Sequence, residues 1–133
     1  MPISTTLRDR YRNDSVQTMS PGQLVVALYD RLLLDLHRAV TAIETSDLSR
    51  GHECLVHAQT IVAELDDSLD VDAWPAGQGL SDLYKFVQSQ LIGANLAKEV
   101  GPVRECNLVV EPLRDAWREA AGAVVAQTLR EGA

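Results

Sequence analysis

Aromatic side chains are scarce in this 133-residue sequence: one Phe, three Tyr and two Trp make up 5% of it. A core short of rings has to be filled with Leu, Val, Ile and Ala, which suits packed helices better than stacked sheets. Cysteine is nearly absent as well, with Cys54 and Cys106 far apart. That count and spacing do not indicate a disulfide framework and fit two small buried hydrophobes in a reducing cytoplasm. No apolar run approaches the length of a bilayer span, and the opening MPISTTLRDRYRNDS lacks the apolar stretch of a secretory signal. Basic charge is short too. With 12 Lys and Arg against 19 Asp and Glu, the chain carries a net charge of -7. Neither a phosphate backbone nor an anionic lipid surface is then an expected direct partner, because both require a basic footprint.

What is present is a 46% hydrophobic content arranged with helical spacing, enough for one globular domain. Residues 1–19 are polar, with isolated apolar anchors at Leu7, Tyr11 and Val16, and read as a mobile arm or a short docking helix. Ser20 then offers an N-cap, Pro21 a first helical residue and Gln23 the return contact of a capping box. Behind them Val25, Tyr29, Leu32, Leu36, Ala39 and Ile43 recur at threes and fours. A second helix is expected over 47–69 on Leu55, Ala58, Val62, Leu65 and Leu69, with Cys54 and Ile61 on the neighbouring row. After a loop, DVDAWPAGQG, a third spans about 81–98 on Leu80, Leu83 or Tyr84, Val87, Leu91 and Ala94, flanked by Phe86 and Ile92. Gly101-Pro102 marks a break before a fourth, over 103–130, on Val110, Leu113, Trp117, Ala120 and Val124. Pro112 inside it predicts a kink or a restart. The row Ala116, Ala120 and Ala123 is almost bare of side-chain volume. The pattern predicts an all-α fold: an antiparallel four-helix bundle over 20–131 with an N-terminal arm.

Nothing in the residues demands catalysis. His52-Glu53 and His57 miss the metalloprotease motif, because the histidines are five apart where that site needs four. The paired Glu-x-x-His of di-iron bundles does not occur. Asp66, Asp67, Asp70 and Asp72 lack the central Gly and terminal Glu of a calcium loop, and Gly77-Gln78-Gly79 follows no strand. A histidine phosphotransfer bundle is the rival of similar shape, but His57 is followed by Ala58, Gln59 and Thr60 rather than that family's lysine and glycine. No cofactor, metal or catalytic residue is expected.

Three ordered stretches carry a resemblance. Tyr11, Val16 and Thr18 precede Ser20-Pro21-x-x-Leu24 and Leu28-Tyr29-Asp30. Leu83-Tyr84-Lys85-Phe86 leads through Leu91 to Ala94-Asn95, and Arg114-Asp115-Ala116-Trp117 follows in the last helix. Together these resemble the signatures of the flagellar secretion chaperone family, FliS. The resemblance implies a cytoplasmic bacterial protein, not an enzyme, that holds the disordered C-terminal segment of newly made flagellin. Premature polymerisation is thereby blocked and the subunit passes to a membrane protein of the export gate. A similar bundle serving another secreted protein is the alternative cargo reading, and a homodimer is compatible with either. On this reading part of the apolar surface is a groove for an amphipathic segment on helices two, three and four, using Ile61, Phe86, Ala116, Ala120 and Ala123. The arm, through Leu7 and Tyr11, is expected to cover that groove until cargo displaces it, and to take part in recognition at the gate.

Overall fold

The computed structural model describes residues 20–73 and 75–132, so the N-terminal arm with Leu7, Tyr11 and Val16 lies outside the described residues. Four helices follow one another: α1 (Pro21–Glu44), α2 (Leu48–Ser68), α3 (Gly77–Ala97) and α4 (Gly101–Gly132). Short connections force antiparallel neighbours. Each helix packs against the one before and after it, and α4 closes the ring against α1.

The helix ends follow local chemistry. The Gln23 amide donates to Ser20 Oγ at 3.2 Å, and the Ser20 amide donates back to Gln23 Oε1 at 2.8 Å. Asp47 caps α2 by accepting from the Arg50 amide. Two helices end on a left-handed residue that is not glycine, Ser46 (φ 62) and Lys98 (φ 54). In both places the next amide reaches back five residues, Asp47 to the Ala42 carbonyl and Glu99 to the Ala94 carbonyl. Those backbone bonds stabilise a conformation that a side chain disfavours.

Three sequence expectations are corrected. α3 starts at Gly77 rather than near residue 81. Glycine is a poor helix former, but tertiary packing overrides that preference here. A Cβ on Gly77 would stand 2.4 Å from the Val71 carbonyl oxygen, so only glycine lets the loop fold back onto the helix start. α4 starts at Gly101, because Pro102 needs no amide partner in a first turn. Of the kink or restart expected at Pro112, the restart does not occur: the helix continues through Pro112, which sits exposed on the solvent side.

The core contains Leu28, Leu32 and Leu36 of α1, Leu55, Ala58, Ile61 and Val62 of α2, Tyr84, Val87 and Leu91 of α3, and Val103, Cys106 and Val110 of α4. Tyr84, not Leu83, takes the inward position on α3. The expected register of α4 fails past Trp117: Ala121 is buried, whereas Ala120 and Val124 are exposed. Close helix approach explains the shift, since a Cβ on Gly22 would come 3.2 Å from that of Ala121.

One polar bridge crosses the aliphatic interior. The Tyr29 and Tyr84 hydroxyls lie 2.6 Å apart, joining α1 to α3 across the diagonal. Trp117 of α4 also hydrogen-bonds Tyr29. Burial pushes both phenols above their ordinary range, and burial likewise raises the Cys106 thiol from 9.0 to about 12. At the α1–α2 seam the buried Asp35 carboxylate meets Arg31 at 3.4 Å and the His57 ring.

Gly77→Ala should destabilise the fold by about 1–3 kcal/mol through a forced backbone shift. Gly79→Ala, two residues on and with nothing within 4 Å of its Cβ, should stabilise it by up to about 1 kcal/mol. Urea unfolding of both variants reads the opposite signs. Tyr29→Phe and Tyr84→Phe should each cost about 1–3 kcal/mol by orphaning a buried hydroxyl. The double variant should cost less than their sum in the same assay. Stability should also fall as pH rises through the interval from 9.0 to about 12, because the unfolded chain releases the Cys106 proton first and then binds fewer protons. Guanidinium unfolding across that interval should show a shallower loss for Cys106→Ala.

Candidate functional site: an apolar face on helices three and four

Each pair of neighbouring helices is tied by polar contacts, but unevenly. Between α2 and α3 the ties occur at three levels. Ser81 donates to Asp66 at 2.8 Å, Gln88 donates to the Gln59 carbonyl at 3.0 Å, and the Asn95 amide meets the His52 ring at 2.9 Å. Between α1 and α4, Arg104 pairs with Glu44 at 2.7 Å, while Arg114 and Arg118 converge on Asp30 at 2.9 and 3.2 Å. Paired with Asp30 and Asp115, the Arg114 guanidinium is held above its ordinary value. These are exposed or half-buried pairs, which fix register more than they stabilise.

The α3–α4 pair differs. Its polar ties among the described residues include Gln90 donating to Glu105 at 2.7 Å, and the Cys106 thiol reaching the Val87 carbonyl at 3.7 Å. These two contacts set the register, with α3 and α4 antiparallel. On α3, Leu83 and Phe86 share the face of Gln90 by helical spacing. On α4, Leu108, Pro112 and Ala116 share the face of Glu105 in the same way. Phe86 is 45% exposed and Leu108 75% exposed. The two helices therefore present one contiguous apolar strip to solvent, and Ala120 and Ala123 extend it along α4.

Of the residues expected to form a groove, Phe86, Ala116, Ala120 and Ala123 are exposed on this side. Ile61 is corrected: it is fully buried in the core and reaches no surface. Its helical row looked lateral in sequence, but the bundle wraps α2 between α1 and α3, so that row faces inward. Leu7, Tyr11 and Val16 lie outside the described residues. Sequence reasoning missed Leu108, whose exposure depends on the register of α4 against α3. It also gave no weight to Leu83 as a surface residue, although the Leu83/Tyr84 ambiguity held that signal.

Two of the three histidines are held by neighbours: His57 turns its Nδ1 onto Asp35, and His52 meets Asn95. Among the described residues no group of three or more His, Cys, Asp or Glu is placed to hold a metal ion. No helix among them is long and apolar enough to cross a membrane. The arrangement can bind an apolar partner.

Comparison with known proteins bears on which partner. The sequence matches the family described as "Flagellar protein FliS" over residues 4–124. It is 33% identical over 110 residues to the flagellar secretion chaperone FliS of Bacillus subtilis (strain 168), covering 83% of this chain and 82% of that one. Against the flagellar secretion chaperone FliS of Escherichia coli (strain K12), identity is 31% over 108 residues, with 80% and 79% covered. A crystal structure of a bacterial flagellar chaperone shares the fold, with a TM-score of 0.73 at 22% identity, over 90% of this chain and 98% of that one. The four-helix ring, the family match along nearly the whole sequence and the two relatives agree: this chain belongs to the FliS family of flagellar export chaperones.

Proposed function

We propose that the protein is a cytoplasmic chaperone that holds the disordered C-terminal segment of flagellin and delivers it to the export gate. The observation that carries the reading is the exposed strip of Leu83, Phe86, Leu108 and Ala116 on α3 and α4. Family membership supports the cargo. A flexible segment that becomes helical on this strip gains about 25 cal/mol for each Å² of apolar area buried. Ordering the segment opposes that gain, so affinity stays moderate and release remains feasible. The small side chains of Ala116, Ala120 and Ala123 let a cargo backbone approach α4 closely.

In the same reading residues 1–19 lie over the strip in the absence of cargo, with Leu7, Tyr11 and Val16 as anchors, and Leu7 and Tyr11 also serve recognition at the gate. No part of this scheme requires catalysis, a metal or a cofactor.

Titration calorimetry with a peptide of the C-terminal segment of flagellin from the same organism should give one-to-one binding with a negative heat-capacity change. Removing residues 1–15 should tighten it. Leu83→Glu and Ala116→Glu should each weaken it by about tenfold, or about 1.4 kcal/mol, with thermal stability unchanged because both positions face water. No binding, even by the chain lacking residues 1–15, would exclude flagellin as the cargo.

A further inference from the structure

We propose that the main-chain carbonyl of Leu108 is a specificity determinant of the α3–α4 strip: an acceptor that takes one side-chain N–H from the bound segment and so fixes its register. The inference rests on the reading of that strip as the cargo site. It starts from Pro112, which lies well inside α4. Proline carries no amide hydrogen, so the carbonyl four residues earlier, that of Leu108, loses the donor a helix ordinarily gives it. The ring also crowds that oxygen, and a carbonyl on the solvent side of a helix tilts outward.

The place of the open acceptor is what gives it a use. Leu108 and Pro112 stand one turn apart on the same side of α4, and both are exposed, Leu108 by 75%. The oxygen between them therefore opens to solvent rather than to the core. One turn further on, Ala116 offers only a methyl group and leaves the approach clear. The acceptor thus sits within the apolar strip, with Leu83 and Phe86 across the junction on α3.

Apolar contact has no direction, so a segment with apolar residues at helical intervals can settle on such a strip in more than one register. A single polar group removes that freedom. Without cargo, water is free to bond the oxygen, and a segment that covers it has to replace that bond. An apolar group laid over it would leave a buried carbonyl unpaired, which costs affinity. An N–H would not. The surroundings also favour a donor over a second acceptor. Glu111, Asp115 and Glu119 are exposed on the neighbouring turns, where their charge disfavours an incoming carboxylate or carbonyl. Side-chain amides, ammonium and guanidinium groups share the required N–H.

Pro112→Ala restores the missing amide and closes the bond to the Leu108 carbonyl. Without cargo, this variant should unfold at a higher urea concentration, since the helix gains a hydrogen bond and a better helix former. In calorimetry it should bind the flagellin C-terminal peptide about tenfold more weakly than the unmodified chain. Opposite signs on stability and affinity distinguish a lost acceptor from general damage. Peptides with each Asn, Gln, Lys and Arg replaced singly by Met identify the donor. One replacement should weaken binding to the unmodified chain about tenfold and leave binding to Pro112→Ala unchanged. Added salt should shrink that difference for a Lys or Arg donor and leave it for an amide. A urea midpoint that Pro112→Ala does not raise would overturn the proposal with no cargo present, because the carbonyl would already be satisfied. Equal peptide binding by the two chains would overturn it and leave the flagellin reading intact, as would replacements that cost the same in both. Absence of peptide binding by the unmodified chain would instead remove the flagellin reading, and this inference with it.

Discussion

Two phenol hydroxyls 2.6 Å apart in an aliphatic interior govern how the four helices are set. Neighbouring helices in a bundle can slide by a turn at modest cost when their contacts are Leu, Val and Ala, because one aliphatic layer resembles the next. A buried hydroxyl cannot slide, since leaving it unpaired costs its full desolvation. Tyr29 and Tyr84 belong to helices that are not neighbours in the ring, and Trp117 adds a third. Their mutual satisfaction fixes α1, α3 and α4 at one level. The surface pairs at Asp30, Glu44 and Asp66 then agree with that register.

Much of this was legible in the sequence. The capping box at Ser20 and Gln23 marked the start of α1 to the residue, because both partners are local and their chemistry is specific. The core rows of α1 and α2 were legible for a related reason: a helix flanked by two neighbours has a wide apolar face, and its period shows through. The start of α3 was hidden, since Gly77 reads as a breaker and only the return of Val71 over it gives glycine a place in a helix. The end of α4 was hidden by alanine. Ala116, Ala120, Ala121 and Ala123 are alike in character, and which of them faces inward is decided by Gly22 on another helix. The candidate binding strip was half legible. Phe86 and the small row of α4 carried a pattern, but Ile61 went inward and Leu108 emerged outward, for reasons of inter-helix register that no local window contains.

On the proposed reading, function follows from how the described polar ties are distributed among the seams. The α2–α3 and α1–α4 seams are laced at several levels, whereas α3 and α4, tied among the described residues at Gln90–Glu105 and Cys106–Val87, expose apolar side chains beside their junction. On the proposed function the chain needs such a surface and must also remain dissolved while the surface is empty. The net charge of -7 serves the second need, because acidic faces elsewhere keep copies from aggregating indiscriminately.

The ring of helices has a consequence for how the chain comes to be folded. Three of its four helix pairs are consecutive in sequence and joined by short turns, two of them with self-contained backbone caps at Ser46 and Lys98. Of the four neighbouring pairs, α1 against α4 joins the most distant parts of the chain, through Asp30 with Arg114 and Arg118, and through Gly22 with Ala121, and the Tyr29–Tyr84 bridge adds a second long-range tie. Contacts are therefore mostly local, the circumstance in which small domains fold within micro- to milliseconds. The ties of α4 to α1 close the longest loop and so carry the largest closure entropy. A chain with this topology thus spends little time unfolded.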